Sequence, residues 1–288
     1  MILSCFQYLH KHKILSGFLV LAYSLAIVFL HDTFVKISVV VMNNISLPVY
    51  NALVRNVFLG GGALLFLLLL FKSIKSEQRF FLLFYLFSVS VLLAIHAAFL
   101  FEMNIEIIHA VEYALLAILV YSLTVKYGAA IIFCIPVMLI DEWRQYLVLY
   151  PGYTQYFEFN DIVMDILGCG FAMLALKIFK VDIRAKSTDA FYTRAEFIFL
   201  VLLVISFFVL LKTCVFSLHI KSSCSNTLIP LSLLENPDSF WQIHNFTKAR
   251  YHVLSPLKGM IAITALCLFF IGLDGYSSSA KTSPSKMV

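Results

Sequence analysis

Long apolar runs, separated by short charged patches, dominate the hydropathy pattern of the chain. A hydrocarbon core about 30 Å thick needs roughly 20 apolar residues for one helical crossing, and several runs reach that length. The pattern therefore predicts an all-α fold, a polytopic transmembrane helical bundle with about eight spans. The predicted spans are residues 14–30, 51–71, 80–101, 105–124, 128–149, 161–180, 195–216 and 256–273.

Four other segments have patterns of their own. Residues 33–42 are apolar but short, which favours an interfacial or re-entrant segment over a crossing. Residues 217–255 form the longest polar stretch and predict a partly ordered extracytoplasmic loop over the mouth of the bundle. Gly60 to Gly62, inside the second span, favour close helix packing over local flexibility. The tail from Ser277 is rich in Ser, Lys and Pro and is predicted to be disordered.

Composition excludes a soluble domain, because 61% of the residues are hydrophobic and only 13% are charged. The net charge of +5 does not indicate nucleic acid, since Lys and Arg are scattered at the ends of apolar runs. Membrane lipids are the expected partners. The excess of Lys and Arg in alternate loops predicts that both termini are cytoplasmic, in a plasma membrane that we expect to be bacterial. On that topology Cys214 and Cys224 are extracytoplasmic and can pair.

The predicted spans fall into three parts. Residues 1–78 form an N-terminal pair of transmembrane helices, and residues 79–182 form a core of four helices. Residues 183–288 form a C-terminal pair of helices, together with the 217–255 loop and the tail.

Ionisable residues inside or at the ends of membrane spans are costly to bury and are therefore candidates for function. The turn into the fourth predicted span and the first turns of that span carry Glu102, Glu106, His109 and Tyr113. These residues follow steps of four, three and four, which places them on one helical face if the helix begins early enough. The sequence therefore predicts a polar stripe on this helix.

The next two predicted spans carry further acids. Asp141, Glu142 and Gln145 close the fifth span, and the i,i+4 spacing predicts that Asp141 and Gln145 share a face. Asp161 and Asp165 share a face by the same spacing at the start of the sixth span. Gly168 and Gly170, one turn below, predict close helix packing. On the predicted topology all three stripes lie at the outer ends of their helices. They predict an outward-facing pocket built from His109, Tyr113, Glu142, Gln145, Asp161, Asp165, Asp141 and Glu106.

The same residues resemble a known family. The chain carries His109-x-x-x-Tyr113, Glu142-x-x-Gln145, Pro151-Gly152 and Asp161-x-x-x-Asp165-x-x-Gly168. This pattern is similar to the VanZ-like family of small bacterial membrane proteins, over about residues 79–180. The family is named for a protein associated with resistance to the glycopeptide antibiotic teicoplanin. The resemblance implies that His109, Tyr113, Glu142, Gln145 and Asp161 are signature polar positions.

The chain also departs from the family pattern, and the departures make its site more acidic. The family often has Asp-Lys where this chain has Ile105-Glu106, often Arg where it has Tyr153, and usually Asn where it has Asp165. The missing basic residues disfavour an anion ligand. The additional acids favour a cation, a proton or an amine.

No metal site is predicted. His109, Glu112, Asp141, Asp161 and Asp165 could supply ligands, but nothing in the sequence fixes their geometry. No cofactor is indicated either, because the sequence has no dinucleotide fingerprint, P-loop, Gly-x-Ser-x-Gly or paired-cysteine zinc motif.

Three functions follow from these features. The resemblance implies an envelope protein whose pocket engages a lipid-linked or lipidated amphiphile, in glycopeptide resistance or envelope maintenance. The first alternative is a membrane enzyme that acts on a lipid or glycolipid head group with a carboxylate and His109 as acid and base. The second is a small transporter, which would place its acids nearer the membrane midplane. The sequence leaves the ligand, the reaction and the oligomeric state open.

Overall fold

The computed structural model describes residues 2–101, 103–151, 155–181, 194–219, 227–233, 241–243 and 250–274. The fold is mostly helical. Its helices in chain order are α1 (Ile2–Lys11), α2 (Lys13–Ile45), α3 (Leu47–Ile74), α4 (Arg79–Phe99), α5 (Ile107–Thr124), α6 (Tyr127–Ile132), α7 (Ile135–Arg144), α8 (Phe159–Ile178), α9 (Ala195–Lys212) and α10 (Pro256–Ile271).

Six of the described helical segments are long and apolar enough to cross a membrane: α2, α3, α4, α5 with the turn before it, α9, and α10 with the turn after it. The chain therefore has the character of a multi-pass membrane protein, while the predicted count of about eight spans is not confirmed. The two predicted spans outside this set are 128–149, which is broken, and 161–180. The latter corresponds to α8, whose side chains are almost all buried by other parts of the protein.

Helix α2 contradicts the prediction for residues 33–42. These residues are not a separate interfacial segment but continue one helix of 33 residues. The polar residues that suggested an end to the first span are compatible with a helix, because Asp32 and Lys36 pair across one turn at 2.6 Å. Ser46 then reverses the chain with a φ of 71°, and Pro48 occupies the first turn of α3, where its missing N–H costs nothing.

The predicted span 128–149 is wrong as a single helix. Pro136 cannot donate a backbone hydrogen bond, so the helix breaks between α6 and α7. At the break the Cys134 amide bonds to the carbonyl of Ile131, three residues back. After Arg144 the chain continues as a π-helical turn over Gln145–Leu149, in which each bond spans five residues.

Contacts between helix ends show that successive helices from α2 to α10 run in opposite directions, if α6 and α7 count as one helix. At one end, Asn104 bonds to Asn51, and the Asn160 amide donates to the carbonyl oxygens of Leu100 and His252. We call this the loop end, because the segments between α9 and α10 pack here.

The opposite end holds the beginning of α2 and the end of α10, and we call it the termini end. There the His10 ring contacts the Ser122 carbonyl at 3.0 Å. The Asp274 carboxylate accepts the amide hydrogens of Tyr127 and Gly128 at 2.9 and 2.7 Å. Helix α1 and the end of α10 therefore lie at the same end of the bundle.

Helix α8 is the centre of the bundle, and small residues bring its neighbours close. A Cβ atom at Gly168 would overlap the backbone of Ala110 in α5, and one at Gly170 would overlap the Phe270 ring in α10. The predicted close packing at both glycines is confirmed. The same prediction is wrong for Gly60 to Gly62, because no described atom lies within 4 Å of an added Cβ there.

Four short strands depart from the all-α prediction. β1 (Phe216–Ser217) pairs with β2 (Ile229–Pro230), and β3 (Trp241–Ile243) pairs with β4 (Arg250–His252). Apart from β3, of whose side chains nothing is described, these segments pack at the loop end, where Tyr146 of the π turn donates to the carbonyl of Pro230. Residues 220–226, 234–240 and 244–249 of the 217–255 loop lie outside the described residues.

The described cysteines divide into two groups. Cys214 is disulfide-bonded, in agreement with the predicted pairing, and its predicted partner Cys224 lies outside the described residues. Cys5, Cys134, Cys169 and Cys267 are free, and of these four Cys5 alone is exposed. The tail from Ser277 also lies outside the described residues.

Candidate functional site

Four helices bring ionisable side chains together near the loop end. We use the name acidic–histidine cluster for six of these residues: His31 of α2, His109 of α5, Asp141 and Glu142 of α7, and Asp161 and Asp165 of α8. All are buried or nearly so, although charged side chains are rarely buried without a partner. Close contact between α5 and α8 at Gly168 brings the part of α5 that carries His109 against the part of α8 that carries Asp165.

His109 lies between the two carboxylates of α8. Its Nε2 atom is 3.8 Å from Oδ2 of Asp161, and its Nδ1 atom is 3.4 Å from Oδ1 of Asp165. Because Asp161 and Asp165 are one helical turn apart, they meet the two sides of the same imidazole ring. These are ion-pair distances rather than aligned hydrogen bonds, and neither oxygen of Asp165 has a hydrogen-bond partner among the described residues.

Asp141 and His31 form the second contact of the cluster. Nδ1 of His31 is 4.0 Å from Oδ2 of Asp141, and the ring centroids of His31 and His109 are 5.7 Å apart. Asp141 is fully buried, and its oxygens make no hydrogen bond within the described part of the chain. A buried carboxylate without a hydrogen bond is costly, so this position favours a bound proton or another cation.

Glu142 is held by the π turn that follows α7. The side-chain amide of Gln145 donates to Oε1 of Glu142 at 3.1 Å. The sequence predicted that Gln145 shares a face with Asp141, but the π turn begins at Gln145 and the contact is made with Glu142 instead. The carboxylate therefore has a fixed orientation beside the α8 acids.

Three residues of the cluster have the composition of a metal-binding group. The ligand atoms of His109, Glu142 and Asp161 all lie within 4.8 Å of one another. The sequence predicted no metal, because it could not place residues from three helices at this separation.

Tyr113 and Glu106 were also predicted to line the pocket. Tyr113 lies within α5, whereas Glu106 lies in the turn before that helix. Tyr113 is fully buried one turn beyond His109, and its hydroxyl has no partner among the described residues. The Glu106 side chain accepts the Met103 amide hydrogen at 2.6 Å and caps a 3-10 turn. The prediction of one stripe that includes Glu106 is therefore wrong, because α5 begins only at Ile107; Glu102 lies outside the described residues.

Arg144 does not neutralise the cluster by direct contact. It donates to the Val28 carbonyl at 2.8 Å, and its guanidinium lies 5.2 Å from the centre of the Phe29 ring. The cluster therefore has four carboxylates without a directly contacting Arg or Lys in the described residues, which favours the binding of a cation.

Sequence reasoning missed two histidines. His31 was placed outside the first span, and His96 of α4 was treated as part of an apolar run. His96 is buried, interacts electrostatically with Asp161 and His109, and has no hydrogen-bond partner for either ring nitrogen within the described part. One signal could have found both, since each is an ionisable residue inside an apolar run. Burying such a residue is energetically unfavourable unless it is paired or functional.

Comparisons of the chain with protein-family models, with curated proteins and with solved structures find no match.

Proposed function

We propose that this chain is a VanZ-like membrane protein whose acidic–histidine cluster engages the polar head group of a lipid-linked or lipidated envelope amphiphile. The observation that supports the proposal is the convergence of six ionisable residues, buried or nearly so, from four helices near one end of a bundle whose outer surfaces are apolar. A membrane amphiphile could present its head group to this end while its chains remain beside the exposed apolar faces of α2 and α3.

The proposed topology places this site outside the cytoplasm. In it, α2, α3, α4, α5, the α6–α7 unit, α8, α9 and α10 all cross the membrane, so that the termini end is cytoplasmic and the loop end is extracytoplasmic. Lys72, Arg79, Lys126, Lys177 and Arg194 lie at the termini end of their helices, in agreement with the bias of basic residues toward cytoplasmic loops.

A second candidate function is an enzyme that acts on the head group. It is favoured by the position of His109 between Asp161 and Asp165, because an imidazole oriented by a carboxylate is a common acid–base arrangement. Both candidates require the same cluster. They differ in whether the amphiphile is chemically changed or only bound.

The test is lipid and envelope-precursor mass spectrometry of a deletion strain complemented with variants. Wild type is expected to restore the lipid profile, whereas His109→Ala is expected to leave the deletion profile. Asp32→Asn is the matched control, because Asp32 is adjacent to His31 in sequence but pairs with the exposed Lys36. Full restoration by His109→Ala, at wild-type abundance in the membrane, would reject the proposal. A new product that appears only with wild type would favour the enzyme.

A further inference from the structure

We infer that His109, Glu142 and Asp161 form a binding site for a divalent transition-metal ion. This inference goes beyond the proposed function, because it concerns the cation that the cluster holds and does not depend on the amphiphile.

The first support is ligand geometry. Tetrahedral zinc with bonds of about 2.0–2.1 Å separates its ligand atoms by about 3.4 Å. Nε2 of His109 and Oδ2 of Asp161 are 3.8 Å apart, and all three ligand atoms lie within 4.8 Å of one another. Side-chain movements of about 1 Å would therefore complete the contacts around an ion.

The second support is that carboxylates are buried around this position without hydrogen bonds. Asp161 is 4% exposed and contacts His109 at 3.8 Å, while the oxygens of the neighbouring Asp165 and Asp141 are fully buried and have no hydrogen-bond partner among the described residues. Two buried carboxylates with neutral imidazole carry a charge of about −2, which a divalent ion would neutralise. An ion would thus remove the cost of burying Glu142 and Asp161 without a contacting Lys or Arg.

The third support is the arrangement around these three side chains. Metal-binding histidines usually direct their second ring nitrogen at a carboxylate or a carbonyl. Asp165 occupies that position, 3.4 Å from Nδ1 of His109, and leaves Nε2 for the ion. Gln145 similarly holds one oxygen of Glu142 at 3.1 Å.

The ligand set also restricts the kind of metal. One imidazole and two carboxylates suit zinc or manganese, whereas soft ions such as copper(I) prefer thiolates and thioethers. Three protein ligands leave at least one coordination position for water or for an oxygen of a bound molecule. We therefore use Zn²⁺ and Mn²⁺ as the probes.

The experiment measures metal content of the full chain, purified in detergent with an affinity tag that lacks histidine. The protein is treated with chelator, loaded with Zn²⁺ or Mn²⁺, freed of excess ion and examined by elemental mass spectrometry. Wild type is expected to retain about one ion per chain with at least one of the two metals. Glu142→Gln and Asp161→Asn are expected to retain at least tenfold less.

Two further variants make the result specific. Glu196→Gln removes a carboxylate that is equally buried but lies at the termini end, where it pairs with Lys126 at 3.6 Å, and it should retain the wild-type content. Asp165→Asn should still bind the ion but with a Kd raised about 10- to 100-fold. Gel filtration of each variant checks that loss of metal is not loss of fold.

Wild type that holds no more metal than Glu142→Gln after both loadings would overturn the inference. So would an Asp161→Asn protein that keeps the full content. No amphiphile is present, so either outcome leaves the proposed head-group ligand to be judged by the complementation experiment.

Discussion

His109 is the residue on which the candidate site depends, because it contacts both α8 acids and lies beside His31. Burying the polar residues around it inside an apolar bundle is energetically unfavourable. Removing one partner of a buried pair leaves the other without compensation, and this loss commonly exceeds the net contribution of the pair. The cluster should therefore behave as one energetic unit.

We predict that His109→Ala and Asp161→Asn each lower the free energy of unfolding, and that the double variant loses less than the sum. The expected coupling is about 0.5–3 kcal/mol, measured by denaturant unfolding in detergent. The control pair is Asp161→Asn with Glu196→Gln, whose effects should add because the two carboxylates lie at opposite ends of the bundle. Additive losses for His109 and Asp161 would mean that the two side chains do not act together.

At the scale of elements, the site depends on how closely α5 approaches α8. The approach is set by Gly168, because any side chain there would overlap the backbone of Ala110. His109 lies one residue before Ala110, and Asp165 lies one turn before Gly168. A change at this glycine would therefore move both halves of the histidine–carboxylate contact.

We predict that Gly168→Ala destabilises the protein by about 1–3 kcal/mol, since backbone must shift to accept the methyl group. Gly61→Ala is the matched control in α3, where an added Cβ meets no described atom. It should be neutral or stabilise by up to about 1 kcal/mol, because Ala favours the helix. Unfolding in detergent compares the two. A destabilised Gly61→Ala would contradict the open surroundings of this glycine and would indicate that it packs against another molecule.

Sequence patterns predicted some elements of this fold well and others poorly, for physical reasons. Hydropathy placed α4 and α10 within a few residues, because their apolar runs have clear polar ends. It divided α2 at His31 and Asp32, since an exposed pair within a helix has the same composition as a helix end. It joined α6 and α7 across Pro136, because hydropathy does not count backbone hydrogen bonds.

The candidate site was predictable where residues share a helix. The spacing of Asp161 and Asp165 showed one face, and the same rule placed His109 near the start of its helix. Which helices become neighbours is a tertiary property, so spacing could not assign His31 to the cluster or indicate that His96 interacts with two of its members. Spacing alone did not show that Glu106 precedes α5, because it could not predict the 3-10 turn that comes before this helix.

At the scale of the whole molecule, the orientation in the membrane decides what the cluster can meet. Helix α1 and the end of α10 share one end of the bundle, and the cluster lies toward the other. In the proposed topology, helix α1 and the cluster therefore approach opposite surfaces of the membrane, whichever surface faces the cytoplasm. One label near a terminus is enough to orient the site.

Cys5 provides that label without engineering. Among the described cysteines it is the one that is both free and exposed, while Cys134, Cys169 and Cys267 are buried and Cys214 is in a disulfide. We predict that a membrane-impermeant maleimide leaves the protein unlabelled in intact cells and labels it after permeabilisation, because basic residues favour a cytoplasmic termini end. Cys5→Ser should abolish the signal, which shows that the label is on Cys5. Labelling of intact cells at Cys5 would place the cluster toward the cytoplasm, and an extracytoplasmic amphiphile could then no longer be its ligand.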